Sequence, residues 1–228
     1  MENNKKITKD DYKKYFGLNN SENAELHKKA FEKAWEIRNF EIDKFWQRSA
    51  YFWGFIAIIF GGYIAVVTKE SNILSKNTYL DLYLILLGLI FSVAWLLVIC
   101  GSKRWQDNWE AHIDYLEDAI TGPLYKTVYY TGKKYFSVSK INFILAWVVI
   151  ITWVFLLLHY FYTNYINSKD VDVLELIFKH PNKIIFLILP LLGTVICIVV
   201  MYKKGQTSGG EYRVDLNKDE HGAFLRRD

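Results

Sequence analysis

The stretch YLDLYLILLGLIFSVAWLLVICGSKRWQDNWEAHIDYLEDAITGP, Tyr79 to Pro123, decides the fold. Its first half, Tyr79–Gly101, carries a single charge, Asp81, near its start. A helix of about 20 apolar residues crosses a bilayer core, and this run supplies one. The second half changes chemistry without losing the helical period. Trp105, Trp109, Ile113, Leu116 and Ile120 recur at spacings of three and four, while Asp107, Glu110, Asp114 and Asp118 take another face. Gly122 then allows a left-handed cap, and Pro123 cannot continue a helix. The stretch predicts a transmembrane helix with a polar extension ending at Thr121.

Working outward, three more runs are almost free of charge: residues 50–68, 141–162 and 183–202. With 79–101 they predict an all-α integral membrane protein of four transmembrane helices, consistent with a 52% hydrophobic composition. The first run starts after residue 49, too late for a secretory signal. Lys and Arg are unevenly shared among the flanks. Residues 1–49 hold eleven, the first loop two (Lys69, Lys76), the second loop six, the third two with Lys183 at its edge, and the tail six. Cytoplasmic flanks carry the excess, so both termini and residues 102–140 are predicted cytoplasmic. The net charge of +4 restates this asymmetry and does not argue for nucleic-acid binding.

Residues 1–20 read as a mobile polar N-terminus. Ser21 has the chemistry of an N-cap, with Glu22 and Glu25 in the first turn. From there to Thr68 there is no proline, and Phe31, Trp35, Ile42, Phe45 and Phe52 make a heptad-like stripe. Six acids and six bases across residues 22–49 occupy the other faces. Residues 21–49 are therefore a predicted cytoplasmic helix continuous with the span at 50–68, about 70 Å long at ~1.5 Å per residue. Thr78 and Asp81 suggest a capping box for the second helix. Residues 102–140 comprise its cytoplasmic extension and then LYKTVYYTGKKYFSVSK, a hairpin or irregular turn, with Ser139 as candidate cap of the third helix. Pro190 and Gly193 predict a bend in the fourth. The tail, 203–228, begins with a flexible GQTSGG link.

LHKKAFEKAWEIRNFEIDKFWQRSAYFWGFIA and FSVAWLLVICGSKRWQDNWEAHIDYLEDAITGPLYKT together resemble the RipA family of octameric bacterial inner-membrane proteins, distinct from the peptidoglycan hydrolase of that name. The resemblance covers most of residues 25–160. It implies a homo-oligomer, an octamer, in the bacterial inner membrane, linked to stress adaptation and growth inside host cells. It implies no catalytic residues.

The candidate chemistry is weighed against packing. His112 lies two residues from both Glu110 and Asp114, so those pairs point apart, whereas ligand pairs on a helix want spacings of three or four. Packing is the favoured role for His112, and a solvated or inter-subunit face for the carboxylates. Trp105 and Trp109 are expected to pack on another helix, with Trp35 and Trp46 as partners. Arg38, in the stripe's register, needs a carboxylate, for which Asp114 or Asp118 is the expected source. Ala57, Gly61 and Ala65 form a small-xxx-small row, the kind that lets membrane helices approach closely. Cys100 and Cys197 are expected to be inert thiols. The expected packing set is therefore Trp35, Arg38, Trp46, Ala57, Gly61, Ala65, Trp105, Trp109, Ile113, Leu116 and Ile120. No enzyme activity, cofactor, metal or nucleic-acid partner is expected; the partners are self, the lipid bilayer and further membrane or cytoplasmic proteins. The function expected is that of an inner-membrane scaffold or regulator. The alternative is an oligomeric pore or membrane-perturbing effector, which needs polar lining such as Ser92 or Thr152.

Overall fold

The computed structural model describes residues 5–18, 23–68, 79–127, 136–166, 181–207 and 212–213. The chain is helical: α1 (Lys9–Tyr15), α2 (Ala24–Thr68), α3 (Leu80–Leu116), α4 (Val138–Phe161) continued by a π turn over Tyr162–Ile166, and α5 (Pro181–Lys204). A two-residue strand β1 (Lys5–Lys6) pairs in parallel with β2 (Tyr212–Arg213). The helices α2, α3, α4 with its π turn, and α5 from Ile185 are each long and apolar enough to cross a membrane. The Ser21 cap, Thr78, the central part of the expected hairpin, most of the third loop and half of the GQTSGG link lie outside the described residues.

The chain divides into two compact units: a polar unit (1–47, 100–140, 207–228) and a membrane unit (48–99, 141–206). The core of the polar unit is Ile7, Tyr12, Ala34, Ile113 and Leu116, with Phe16, Phe31, Trp109 and Tyr125 packed against it. Residues 5–18 thus depart from the mobile terminus expected. A seven-residue helix is too short to stand alone, but α1 has two supports. Thr8 and Asp11 form a reciprocal capping box: the Asp11 amide donates to Thr8 Oγ1 at 3.1 Å, and the Thr8 amide to the Asp11 carboxylate at 3.0 Å. Ile7 and Tyr12 are then buried in the core.

In the polar unit, the inward face of α2 follows His27, Phe31, Ala34, Arg38, Glu41 and Phe45, alternating steps of four and three. The expected stripe runs through Trp35, next to Ala34. The structure buries the small Ala34 instead and leaves Trp35 on the exposed flank. α3 ends at Leu116 rather than Thr121. Residues 117–121 continue as turns, closed by Ile120 and Thr121 amides donating to the Glu117 carbonyl, before Gly122 at φ +65°. The N-terminus of α4 is capped by Ser137, whose Oγ accepts from the Lys140 amide at 3.3 Å, rather than by Ser139.

The membrane unit is built around Ile59, Leu82, Ile85, Leu86, Trp153 and Tyr160. Two contacts explain its helix pairing. A Cβ on Gly88 of α3 would fall inside the Trp153 indole of α4, so the absence of a side chain at 88 is what admits that ring. Within α5, Pro190 has no N–H to give the carbonyl of Phe186 one turn earlier. The Tyr83 hydroxyl of α3 lies 3.4 Å from that same carbonyl and donates to it, meeting a demand that hydrocarbon cannot.

Candidate functional site

The chemically varied stretch after residue 101 folds into the polar unit, and its polar groups have specific partners there. Glu117 is fully buried. Its carboxylate accepts from the backbone amides of Tyr125 at 2.6 Å and Lys126 at 3.0 Å. It thus anchors the turn that follows Gly122-Pro123, and is not the solvated carboxylate expected. Lys126 returns over the same turn, donating to the Asp114 carbonyl at 2.7 Å and pairing with Asp118 at 2.8 Å.

His112 does not join the neighbouring carboxylates. Its Nδ1 lies 2.7 Å from the Tyr12 hydroxyl. The ring sits among Tyr12, Phe16 and Trp109, with centroids 5.4–6.4 Å away. Burial among these rings disfavours charge, so the His112 pKa is pushed below its ordinary value and that of the Tyr12 phenol is raised, with Tyr115 adding to the latter. A neutral imidazole facing a neutral phenol is the result. A second histidine, His27, is also buried, and its Nε2 hydrogen-bonds the Leu116 carbonyl at 2.7 Å, tying α2 to the end of α3.

Arg38 pairs with Glu110 at 3.6 Å, not with Asp114, one turn further along α3, or Asp118, in the turn beyond its end. Its guanidinium lies over Trp35 and Tyr125 at 5.6 and 5.3 Å, and donates to Asn39 at 3.2 Å. Glu110 is in turn approached by Lys103, at 4.0 Å, which also holds Asp107 at 2.8 Å. The two aromatic rings beside the guanidinium hold it near Glu110.

The expected packing set therefore splits. Ile113 and Leu116 are buried and Trp109 is half-buried against them, covered within one copy by α1 and α2. Ile120 is half-buried. Trp35 meets Phe31 and Tyr125, at 6.4 and 5.6 Å, and Trp46 meets Phe45 at 5.4 Å, so the expected tryptophan partnership is replaced by these. Trp35, Trp46 and Trp105 remain exposed. So do Ala57, Gly61 and Ala65 in the membrane unit. Sequence reasoning missed Tyr12, His27, Glu117 and Tyr125. For Tyr12 a signal existed: T-x-x-D at Thr8–Asp11, followed by Tyr12 and Phe16 one turn apart. Glu117 carried none, since its role depends on a turn eight residues away.

Among the described residues, no group of three or more His, Cys, Asp or Glu is placed to hold a metal. Cys100 and Cys197 are free thiols.

The model of the octameric membrane protein family (8xMP) matches residues 28–162, more than half of the chain. The match takes in α3 and α4 whole and most of α2, leaving α1 and α5 outside. No curated protein and no solved structure matches the chain.

Proposed function

The chain belongs to the octameric membrane protein family, and from that premise we propose that it is a non-enzymatic, homo-oligomeric scaffold or regulator of the bacterial inner membrane. Its task, as the sequence resemblance implies, is to organise further proteins at the membrane during stress or growth inside a host. Both termini and residues 102–140 face the cytoplasm, on the evidence of the Lys and Arg asymmetry.

One observation carries the reading. The groups a catalytic centre would draw on in the 101–127 stretch serve the fold instead: Glu117 holds two amides, His112 meets a phenol, and Glu110 meets Arg38. What the protein offers outward is aromatic surface, in Trp35, Phe40, Trp46 and Trp105. The pore alternative draws less support. Ser92 is wholly buried and donates to the Gly88 carbonyl at 2.7 Å, and the Thr152 hydroxyl donates to Val148 at 2.9 Å.

The test is a mass measurement of the purified protein in detergent or nanodiscs, paired with complementation of a deletion strain under stress. An octamer, with no conductance in liposomes, is expected. A monomer overturns the scaffold. Single-channel conductance replaces it with the pore. Loss of cellular function in Glu110→Gln with octamer and membrane level intact points to chemistry at the stretch.

A further inference from the structure

The membrane unit has an apolar cleft of about 410 Å³ between α2, α3 and α4. Its floor is the Trp95 and Trp153 rings, both 1% exposed. Its rim is Trp53, Phe60 and Leu145, each about two-fifths exposed. At each end a rim ring stands edge-on to a floor ring: Trp53 on Trp95 with centroids 6.0 Å apart, and Phe60 on Trp153 at 5.4 Å. Between these ends the wall is formed by Ala57, whose methyl is the smallest side chain of the lining. From position 53 to 60 it runs about 10 Å along α2.

The lining restricts what can enter. Its hydroxyl, on Thr152, is already donated to the Val148 carbonyl, and the Trp95 Nε1 is fully covered by protein. The surface of the cleft is thus almost wholly apolar, which suits an apolar occupant.

We propose that the occupant is a bulky side chain from a membrane helix of a second copy of this chain. The proposal rests on the homo-oligomeric reading above and names the surface that reading leaves open. Copies of an octamer must touch, and the apolar windows of α2 and α5, each only 6% buried within their own chain, are membrane surface free to do so; of the two, α2 carries the cleft. In hydrocarbon no hydrophobic force drives helices together, so association depends on close van der Waals fit. A hole with a rigid aromatic floor provides that fit to a side chain held at a fixed height on a neighbouring helix. The approach is clear beside it: a Cβ at Gly61, one turn beyond Ala57, would meet nothing within 4 Å. A knob on one face and a hole on another is the heterologous contact from which rings are closed.

The experiment uses the full chain in nanodiscs. Ala57→Trp fills the cleft from its own backbone, and should convert octamer to smaller species by native mass measurement, with helix content retained. A photo-reactive benzoylphenylalanine at position 145 should give a covalent dimer on irradiation in the Ala57 protein, and lose that product when Ala57→Trp is added. The cross-link also decides the matter if Ala57→Trp does not fold. An octamer untouched by Ala57→Trp overturns the proposal and leaves the scaffold reading standing. A photoproduct carrying the mass of a phospholipid overturns it in favour of a bilayer tail. A wild-type monomer removes both readings together.

Discussion

Glu117 shows how far a residue's role depends on what folds over it. In sequence it is one of five acids spread over two helical turns and more, and a solvated face is the natural expectation. In the structure it is buried against two amides that no other group of the turn satisfies in its place. Glu117→Ala orphans both, at about 1–3 kcal/mol each, so thermal unfolding should fall well below wild type. Glu117→Gln, which keeps one acceptor, should lose less. Equal melting for the three proteins would return the residue to solvent. His112 carries a pH dependence. Its folded pKa lies below the unfolded value of about 6.5. The unfolded chain then binds the proton more readily, so stability is unaffected above about pH 6.5 and declines as pH falls below it, until the folded pKa is passed. Unfolding of wild type and His112→Phe from pH 8 to 5 should show a steeper acid loss for wild type. Parallel profiles would place His112 outside the buried set.

At the scale of elements, the helices of the membrane unit were legible because their signal is local. A run of about 20 apolar residues announces itself within its own span, and α2, α3, α4 and α5 all do so. The misreadings share a different cause. Trp35 reads as core because an aromatic residue stands out in any periodic pattern, whereas the position packed against Ile113 and Leu116 is taken by the small Ala34. α1 is hard to see in the sequence because a seven-residue helix has little signal of its own and takes its stability from elsewhere. That dependence is testable. Tyr12→Ala should remove hydrogen-exchange protection from residues 9–15 while leaving the α2 amides near Ala34 protected. Protection retained in α1 would mean that its capping box suffices. In the membrane unit, Gly88→Ala should displace Trp153, with an overpacking cost of about 1–3 kcal/mol, seen as a lower unfolding temperature and an altered tryptophan emission. An unchanged protein would show that the α3–α4 contact yields freely.

At the scale of the whole molecule, the number of spans and the family could both be read from residues, while the candidate site could not. The chemistry of residues 101–127 was visible as composition, but its assignment needed the N-terminal arm and the turn at Tyr125, distant or irregular segments with no periodic mark. Orientation is the open prediction at this scale. Cysteines introduced at Ser75 and at Asn108, the latter exposed where Ser102 is buried, should be labelled by an impermeant reagent at 75 alone in intact cells. Labelling at 108 alone would invert the topology.

The pairing of β1 with β2 has a consequence of its own. Lys5–Lys6 and Tyr212–Arg213 share backbone hydrogen bonds in parallel register, and no such ladder can be drawn across a bilayer. The segments on either side of the four spans must therefore lie in one compartment, which demands an even number of crossings. That parity is independent of hydropathy and of charge. It is blind to direction, since it forbids three crossings or five and has no preference between inside and outside. A reporter placed after Arg213 and one placed before Lys5 should always share a fate, whichever face of the membrane that is.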